Sequence, residues 1–369
     1  MREWTLVAYL SSHGFGHAVR AMEVLRALRQ LQPALSLHLR TMVPHWFVRH
    51  GLGDSVTHVP VLLDVGVVQA DSLTVDIGAT LQAQTALTLA RDRILNDELA
   101  ALRRIKPRLI FSDIPALACD LGAHLGIPVV AMGNFSWDWI YADYARDVPQ
   151  FAPLVTDLAT SYGRADLLLR LPFHGGLDAF KRRQDIGLVT RRPTVATREV
   201  RLRLGVPAHD VLVVLSFGGV GLGLTTAPRR RLGVTYVATQ SAAPVGAPPH
   251  GYRFVTNSAL IDLGVRYEDL IAAADAVVTK PGYGIIADCI AGETPIVYTS
   301  RGRFAEYACL VTAIHQYLPN AFVSNDDLRT GRWDEALDLA LSAPVPSASI
   351  DLNGAAIAAQ NLHEILSGN

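Results

Sequence analysis

Two α/β domains, each a parallel sheet wrapped by helices, are what this sequence predicts, and three observations predict them. Apolar segments of strand length alternate with segments of helical periodicity, the pattern of strand–helix–strand units. The alternation breaks over a basic, proline-containing stretch, Val189 to Pro207, and then restarts. The chain has 369 residues, which suits two domains of roughly 150 residues each.

The elements justify themselves in order. In the first half Thr5–Leu10, Ser36–Thr41, Leu109–Phe111 and Val129–Met132 read as strands. Helical spacing marks Ala18–Leu31, Leu81–Arg104 and Leu117–Leu125, the last stopped by Gly126 with Pro128 entering the next strand. In the second half Val211–Leu215, Thr235–Ala238, Ala276–Thr279 and Ile296–Tyr298 read as strands, and Ile285–Ala291 and Ala355–Leu366 as helices. On this reading residues 1–190 form an N-terminal domain and 191–350 a C-terminal one, with the closing helix (351–369) packing back on the first.

Composition removes several function classes. A net charge of −1 provides no global attraction for nucleic acid or anionic membranes. No apolar run approaches the roughly 20 residues of a membrane span. The chain opens on a strand, not a signal peptide, so a cytoplasmic location is expected. Cys119, Cys289 and Cys309 sit in apolar helical settings and read as core residues, not a disulfide framework. There is no Asp-x-Asp and no close His/Cys cluster, so no metal site is expected.

The first motif is Ser11-Ser12-His13-Gly14-Phe15-Gly16-His17, between a strand and a helix. It puts the His17 imidazole at the carboxyl edge of a sheet, where open α/β proteins bind ligands. It is not a dinucleotide fingerprint: Val19 occupies the third glycine's place, and the strand to Arg40 ends without a ribose-binding acid. No Walker A sequence is present.

The second motif, Lys280-Pro281-Gly282-Tyr283-Gly284, joins a strand to a helix. Glycines let a phosphate approach the backbone, the helix start offers free N–H groups, and Lys280 adds a full charge. Asp288, six residues after Gly282, could accept bonds from ribose hydroxyls. Ser216-Phe217-Gly218-Gly219 ends another strand and forms a second phosphate-approach turn. Together these turns favour a nucleotide diphosphate site in the second half.

Other residues carry two readings each. Asp64, Gln69, Asp71 and Asp76 suit either an acceptor site or turn and cap chemistry. Trp137, Asp138, Trp139, Tyr141 and Tyr144 suit either sugar stacking or core packing. His13 is either a substrate contact or a loop-packing residue, and Arg20 either a phosphate ligand or a surface salt bridge. The arginines of the central stretch, Arg191, Arg192, Arg198, Arg201 and Arg203, read as a phosphate patch or a solvated linker. Arg301 and Arg303 follow a strand, where an anionic substrate could use them.

Four stretches carry a resemblance: His13–His17, Leu63–Asp76, Asn134–Tyr144 and Lys280–Gly284. On them the chain resembles the GT-B glycosyltransferases, and within that type the N-terminal, glycosyltransferase-like region of L-arabinokinase and its bacterial relatives. The resemblance does not extend to a sugar-kinase half, so kinase activity is not expected to carry over. The resemblance implies two Rossmann-like domains facing each other across a cleft, the first binding an acceptor and the second a nucleotide sugar. The chain is more distantly similar to the lipid II-forming N-acetylglucosaminyltransferase and to UDP-glycosyltransferases. That similarity implies His17 as general base, Asp113 as its orienting acid, and Glu306 near the donor sugar's hydroxyls. On the reading of the residues themselves, His13, Phe15, Asp64, Gln69, Asp71, Trp137, Asp138 and Tyr141 are the acceptor-side candidates. Ser216, Gly218, Gly219, Lys280, Gly282, Tyr283, Gly284, Asp288 and Arg301 would serve the donor. Lys280 stands where plant UDP-glycosyltransferases have His, and Ile285 where they have Ser. The expected activity is an inverting, metal-independent transfer from a nucleotide sugar, a UDP-sugar, to an acceptor hydroxyl. A nucleotide-sugar epimerase or hydrolase and a non-catalytic nucleotide-sugar-binding module are the alternatives.

Overall fold

Fully buried apolar strands decide the architecture. The computed structural model describes residues 4–71, 73–217, 231–240 and 251–368. In the first half these form β1 (Thr5–Leu10), α1 (Phe15–Leu31), β2 (Ser36–Arg40), α2 (His45–Leu52), β3 (Thr57–Val59), α3 (Ile77–Ile105), β4 (Leu109–Asp113), α4 (Leu117–Leu125), β5 (Val129–Gly133), α5 (Trp137–Ala145), α6 (Ala152–Tyr162), β6 (Leu167–Arg170) and β7 (Arg183–Asp185). The second half adds α7 (Thr197–Arg203), β8 (Val211–Ser216), β9 (Val234–Gln240), β10 (Tyr252–Thr256), α8 (Asn257–Asp262), α9 (Tyr267–Ala273), β11 (Ala276–Thr279), α10 (Tyr283–Gly292), β12 (Ile296–Tyr298), α11 (Glu306–Tyr317), β13 (Asn320–Phe322), α12 (Asn325–Arg329), α13 (Asp334–Ser342) and α14 (Gly354–Ser367).

Among the described residues these strands make two sheets, ordered β3-β2-β1-β4-β5-β6-β7 and β10-β9-β8-β11-β12-β13. Every pairing is parallel. A parallel sheet is covered on both faces, so its central strands are mostly apolar: every residue of β1, β4, β5 and β11 is buried, the Ser112-Asp113 end of β4 included. Each sheet reverses its strand order once, between β1 and β4 and between β8 and β11. Ligands bind such sheets outside the carboxyl ends of the strands at that switch point.

The chain divides into two compact units. The first holds Met1–Val68, Asp76–Val189 and Asp351–Asn369; the second holds Thr190–Ile350 and the short stretch Gln69–Val75. That stretch comes from inside the first half of the sequence, yet Leu73 is buried in the second unit's core with Phe217, Val278 and Val323. Asp71 anchors it, accepting from the backbone of Leu73 at 2.7 Å and pairing with Arg329 at 2.8 Å. The next residue but four, Asp76, caps α3 by accepting from Ala79 N at 2.8 Å.

Helix starts differ from the sequence expectation by a few residues, and two differences matter. α1 begins at Phe15, not Ala18, so His17 lies within its first turn. α10 begins at Tyr283, directly after Gly282. The short outer strands β3, β6, β7, β10 and β13 have too few apolar residues in alternation to be read from sequence.

The closing helix belongs to the first unit and packs along α1. Its entry is a close backbone approach: Leu188 N donates to Asp351 O at 2.7 Å and Gly354 N to Leu188 O at 3.2 Å. A Cβ on Gly354 would stand 2.0 Å from the Gly187 carbonyl oxygen. Gly354→Ala is therefore expected to cost about 1–3 kcal/mol, as overpacking does, read as a lower melting temperature. An unchanged melting temperature would remove this contact as the anchor of α14.

Candidate functional site

Two clusters stand at the two switch points, one in each unit. The first is built on α1 and the ends of β4 and β5. Gly14, at φ 73° and ψ 179°, takes a backbone conformation reserved for glycine and turns the chain from β1 into α1. His17 follows in the first turn, 6% exposed, with Nδ1 2.9 Å from Asp113 Oδ1. Asp113 ends β4 and has no exposed surface.

Arg20 completes this cluster. It lies three residues after His17, on the same helix face. Its Nε donates to Asp113 Oδ2 and its Nη2 to Asp113 Oδ1, each at 2.7 Å. Its Nη1 donates to Asn134 Oδ1 at 2.7 Å, and Nη2 lies 3.1 Å from His17 Nδ1. Arg20 is 4% exposed, so it is neither the surface salt bridge nor the phosphate ligand that sequence allowed. Burial pushes the Asp113 carboxyl up, but the Arg20 guanidinium and His17 outweigh it and hold the group below its ordinary value. An ionised carboxylate can only accept, so His17 Nδ1 carries a proton toward it, and Nε2 is the ring nitrogen that Asp113 does not engage.

The acceptor candidates divide. Asp64 is buried, accepting from Ser11 Oγ at 3.0 Å and from Trp137 Nε1 at 2.8 Å. Burial raises its carboxyl despite those bonds. His13 stands edge-on to Trp137 at 5.4 Å between ring centroids, and His17 is 6.2 Å from the same ring. Phe15 packs on Phe47 at 4.6 Å. Trp137, Tyr141 and Tyr144 are 1% exposed or less, so core packing holds these aromatics. Trp137, Tyr141 and Asp64 nonetheless line one wall of a cavity of about 270 Å³. Its other walls come from α3, α4 and α6 and include Leu87, Ile94, Leu117 and Leu158. Asp138 is half-buried on α5, its carboxyl raised by burial. Gln69 and Asp71 are not in this cluster; they lie in the second unit's stretch.

The second cluster surrounds the start of α10. Gly282 caps this helix with extended backbone (φ −150°), and no side chain caps it. The first N–H groups of the helix therefore lack helical acceptors. A Cβ on Gly282 would meet nothing closer than 3.9 Å. Glycine here is required by neither φ nor the protein's own packing, and it leaves space over those N–H groups. Beside it, burial and then Arg301 push the Lys280 ammonium down to about 7, with Asp71 acting the other way. Arg301 donates to Pro281 O at 3.3 Å, pairs with Glu306 at 3.2 Å and lies over Phe304 at 4.1 Å. Ser216 shares a hydrogen bond with the Tyr267 hydroxyl, and its carbonyl accepts from Thr279 Oγ1. Tyr283 and Gly284 form the first turn of α10. Gly218 and Gly219 lie outside the described residues.

Asp288, on α10, is buried and already ion-paired with Arg191. Arg191 also meets Glu268 at 3.0 Å and lies over the Tyr267 ring at 5.3 Å. Arg191 is thus neither a solvated linker residue nor part of an open phosphate patch. Arg201 and Arg203 likewise pair with Asp275 and Glu199, each at 2.8 Å. Sequence reasoning singled out Arg20 but not its role as the partner of Asp113, for which its three-residue spacing from His17 was the one signal; it gave no role to Asn134, Glu268 or Tyr267.

The fold has counterparts among solved structures. The calicheamicin glycosyltransferase CalG4 superimposes with a TM-score of 0.61 at 15% identity, covering 100% of this chain and 95% of that one. An Arabidopsis thaliana UGT protein complexed with UDP-L-rhamnose gives 0.59 at 12% identity, covering 100% and 99%. The spinosyn rhamnosyltransferase SpnG gives 0.59 at 15%, covering 98% and 96%.

The chain has the GT-B glycosyltransferase fold.

Within GT-B, sequence similarity extends to L-arabinokinase of Arabidopsis thaliana, 32% identical over 368 residues. The match covers 98% of this chain and 34% of that protein, so the chain spans about a third of its relative's length. No family model matches the chain. Among the described residues no helix is long and apolar enough to cross a membrane.

The Lys280 setting has a stability consequence. An ordinary lysine titrates at 10.5, and this one at about 7. Between those values the unfolded chain binds more protons than the folded one, so Lys280 makes stability rise with pH across that window. Its cost is complete below about 7. Lys280→Met is expected to raise the melting temperature of the ligand-free protein near neutral pH and to flatten that rise. A variant that melts lower at neutral pH would show that the ammonium stabilises the turn instead.

Proposed function

We propose that this GT-B protein is an inverting, metal-independent glycosyltransferase that moves a sugar from a UDP-sugar to an acceptor hydroxyl. The observation that carries the reading is the buried His17–Asp113 pair, in which the carboxylate holds Nδ1 and leaves the other ring nitrogen, Nε2, for a substrate. His17 takes the hydroxyl proton as the acceptor oxygen attacks the anomeric carbon. The bond from that carbon to the diphosphate oxygen breaks, and the diphosphate leaves with the electron pair. Attack opposite the leaving group inverts the anomeric centre. Asp113 holds the ring's tautomer and stabilises the imidazolium, as in a Ser-His-Asp triad.

The leaving diphosphate needs positive charge. The open N-terminus of α10 and Lys280 supply it, with Lys280 taking up a proton as the anion arrives. Arg301 and Glu306 lie next to that turn and suit the donor sugar. The UDP-L-rhamnose bound by the Arabidopsis UGT protein supports a UDP-sugar as the donor class. The cavity behind Trp137, lined by leucines and by charged residues such as Arg91 and Asp157, suits an acceptor with an apolar body and polar groups.

His17→Ala is expected to lower transfer by about 10²- to 10⁴-fold, the usual contribution of a positioned base, while binding of UDP persists in calorimetry. The check is a panel of nucleotide sugars with product stereochemistry followed by nuclear magnetic resonance. A His17→Ala enzyme with full transfer rate would refute the base assignment. Sugar inversion or release without any acceptor would favour an epimerase or hydrolase instead.

A further inference from the structure

We infer that Arg20 is a positioning residue for His17, acting through Asp113 and anchored by Asn134. The inference rests on the reading of His17 as the base. Its foundation is geometric. One guanidinium holds both oxygens of Asp113 at 2.7 Å, reaches Asn134 at 2.7 Å, and lies 3.1 Å from the same His17 nitrogen that Asp113 holds. All four residues are at most 6% exposed. A paired fork of this kind fixes direction as well as charge.

Two consequences follow. Asp113 cannot rotate, so the His17 ring is held in one plane with Nε2 in one direction. Asp113 is also not a bare carboxylate, because its charge is shared with the guanidinium. Around His17 the fork therefore works through geometry: Asp113 from β4 and Arg20 from the same helix hold one ring nitrogen, and Asn134 fixes the far side of the guanidinium.

The test compares Arg20→Met, Arg20→Lys, Asn134→Ala and Asp113→Asn in the full chain. Transfer by Arg20→Met is expected to fall at least about tenfold in kcat, with little change in KM for donor. Arg20→Lys should restore only part of the rate, since an ammonium lacks the fork. The second readout needs no substrate: in histidine-labelled protein the hydrogen-bonded Nδ1–H resonance of His17 should be present in the wild type, lost in Asp113→Asn, and broadened in Arg20→Met. If Arg20→Met does not fold, Asn134→Ala carries the test, broadening the same resonance. An unchanged resonance in folded Arg20→Met would overturn the inference. A resonance that behaves as described in a protein that transfers no sugar would uphold the positioning and refute the transferase reading.

Discussion

A carboxylate with no access to water must be answered by charge where it stands. Asp113 is such a group, and the first unit is arranged around answering it. It sits at the end of β4, beside β1 in the sheet, so α1 must present two residues of one face to it. His17 and Arg20, three apart, are those residues. Asn134 then follows β5 and fixes the far side of the guanidinium. The position of α1, in turn, is held from outside by α14, which returns from the end of the chain.

The second unit solves the opposite problem. At the start of α10 the fold leaves N–H groups uncapped and a lysine partly stripped of water, an arrangement that favours an incoming anion. The neighbouring charges are mostly satisfied already: Arg301 with Glu306, Arg329 with Asp71, Arg191 with Asp288 and Glu268. The Asp288 pairing bears directly on the reading of this residue as a ribose ligand. A ribose would have to share a carboxylate that Arg191 already holds. The stretch Gln69–Val75 contributes Asp71 to this neighbourhood, although the chain reaches it between two elements of the first unit.

Much of this was legible in the amino-acid order. The central strands were, because burial on both faces leaves an uninterrupted apolar run. The two ligand turns were, because glycine and a helix start leave a local mark. His17 could be singled out because it follows a glycine-rich strand-to-helix turn, where a titratable side chain reaches the carboxyl edge of the sheet. The outer strands were not legible, being three to five residues long with mixed burial.

By itself, then, the sequence determined the α/β class, the alternation of elements, and the local turns that face a ligand, since each depends on neighbours along the chain. Tertiary structure alone decided which charges meet. His17 and Asp113 are 96 residues apart, Arg20 and Asn134 are 114 apart, and Arg191 and Asp288 are 97 apart. No local propensity encodes such a meeting; it comes from strand order in the sheet and from the cost of leaving a buried charge alone. The same long-range packing moved Leu73 and Asp71 into the second unit, where a buried leucine outweighed proximity along the chain.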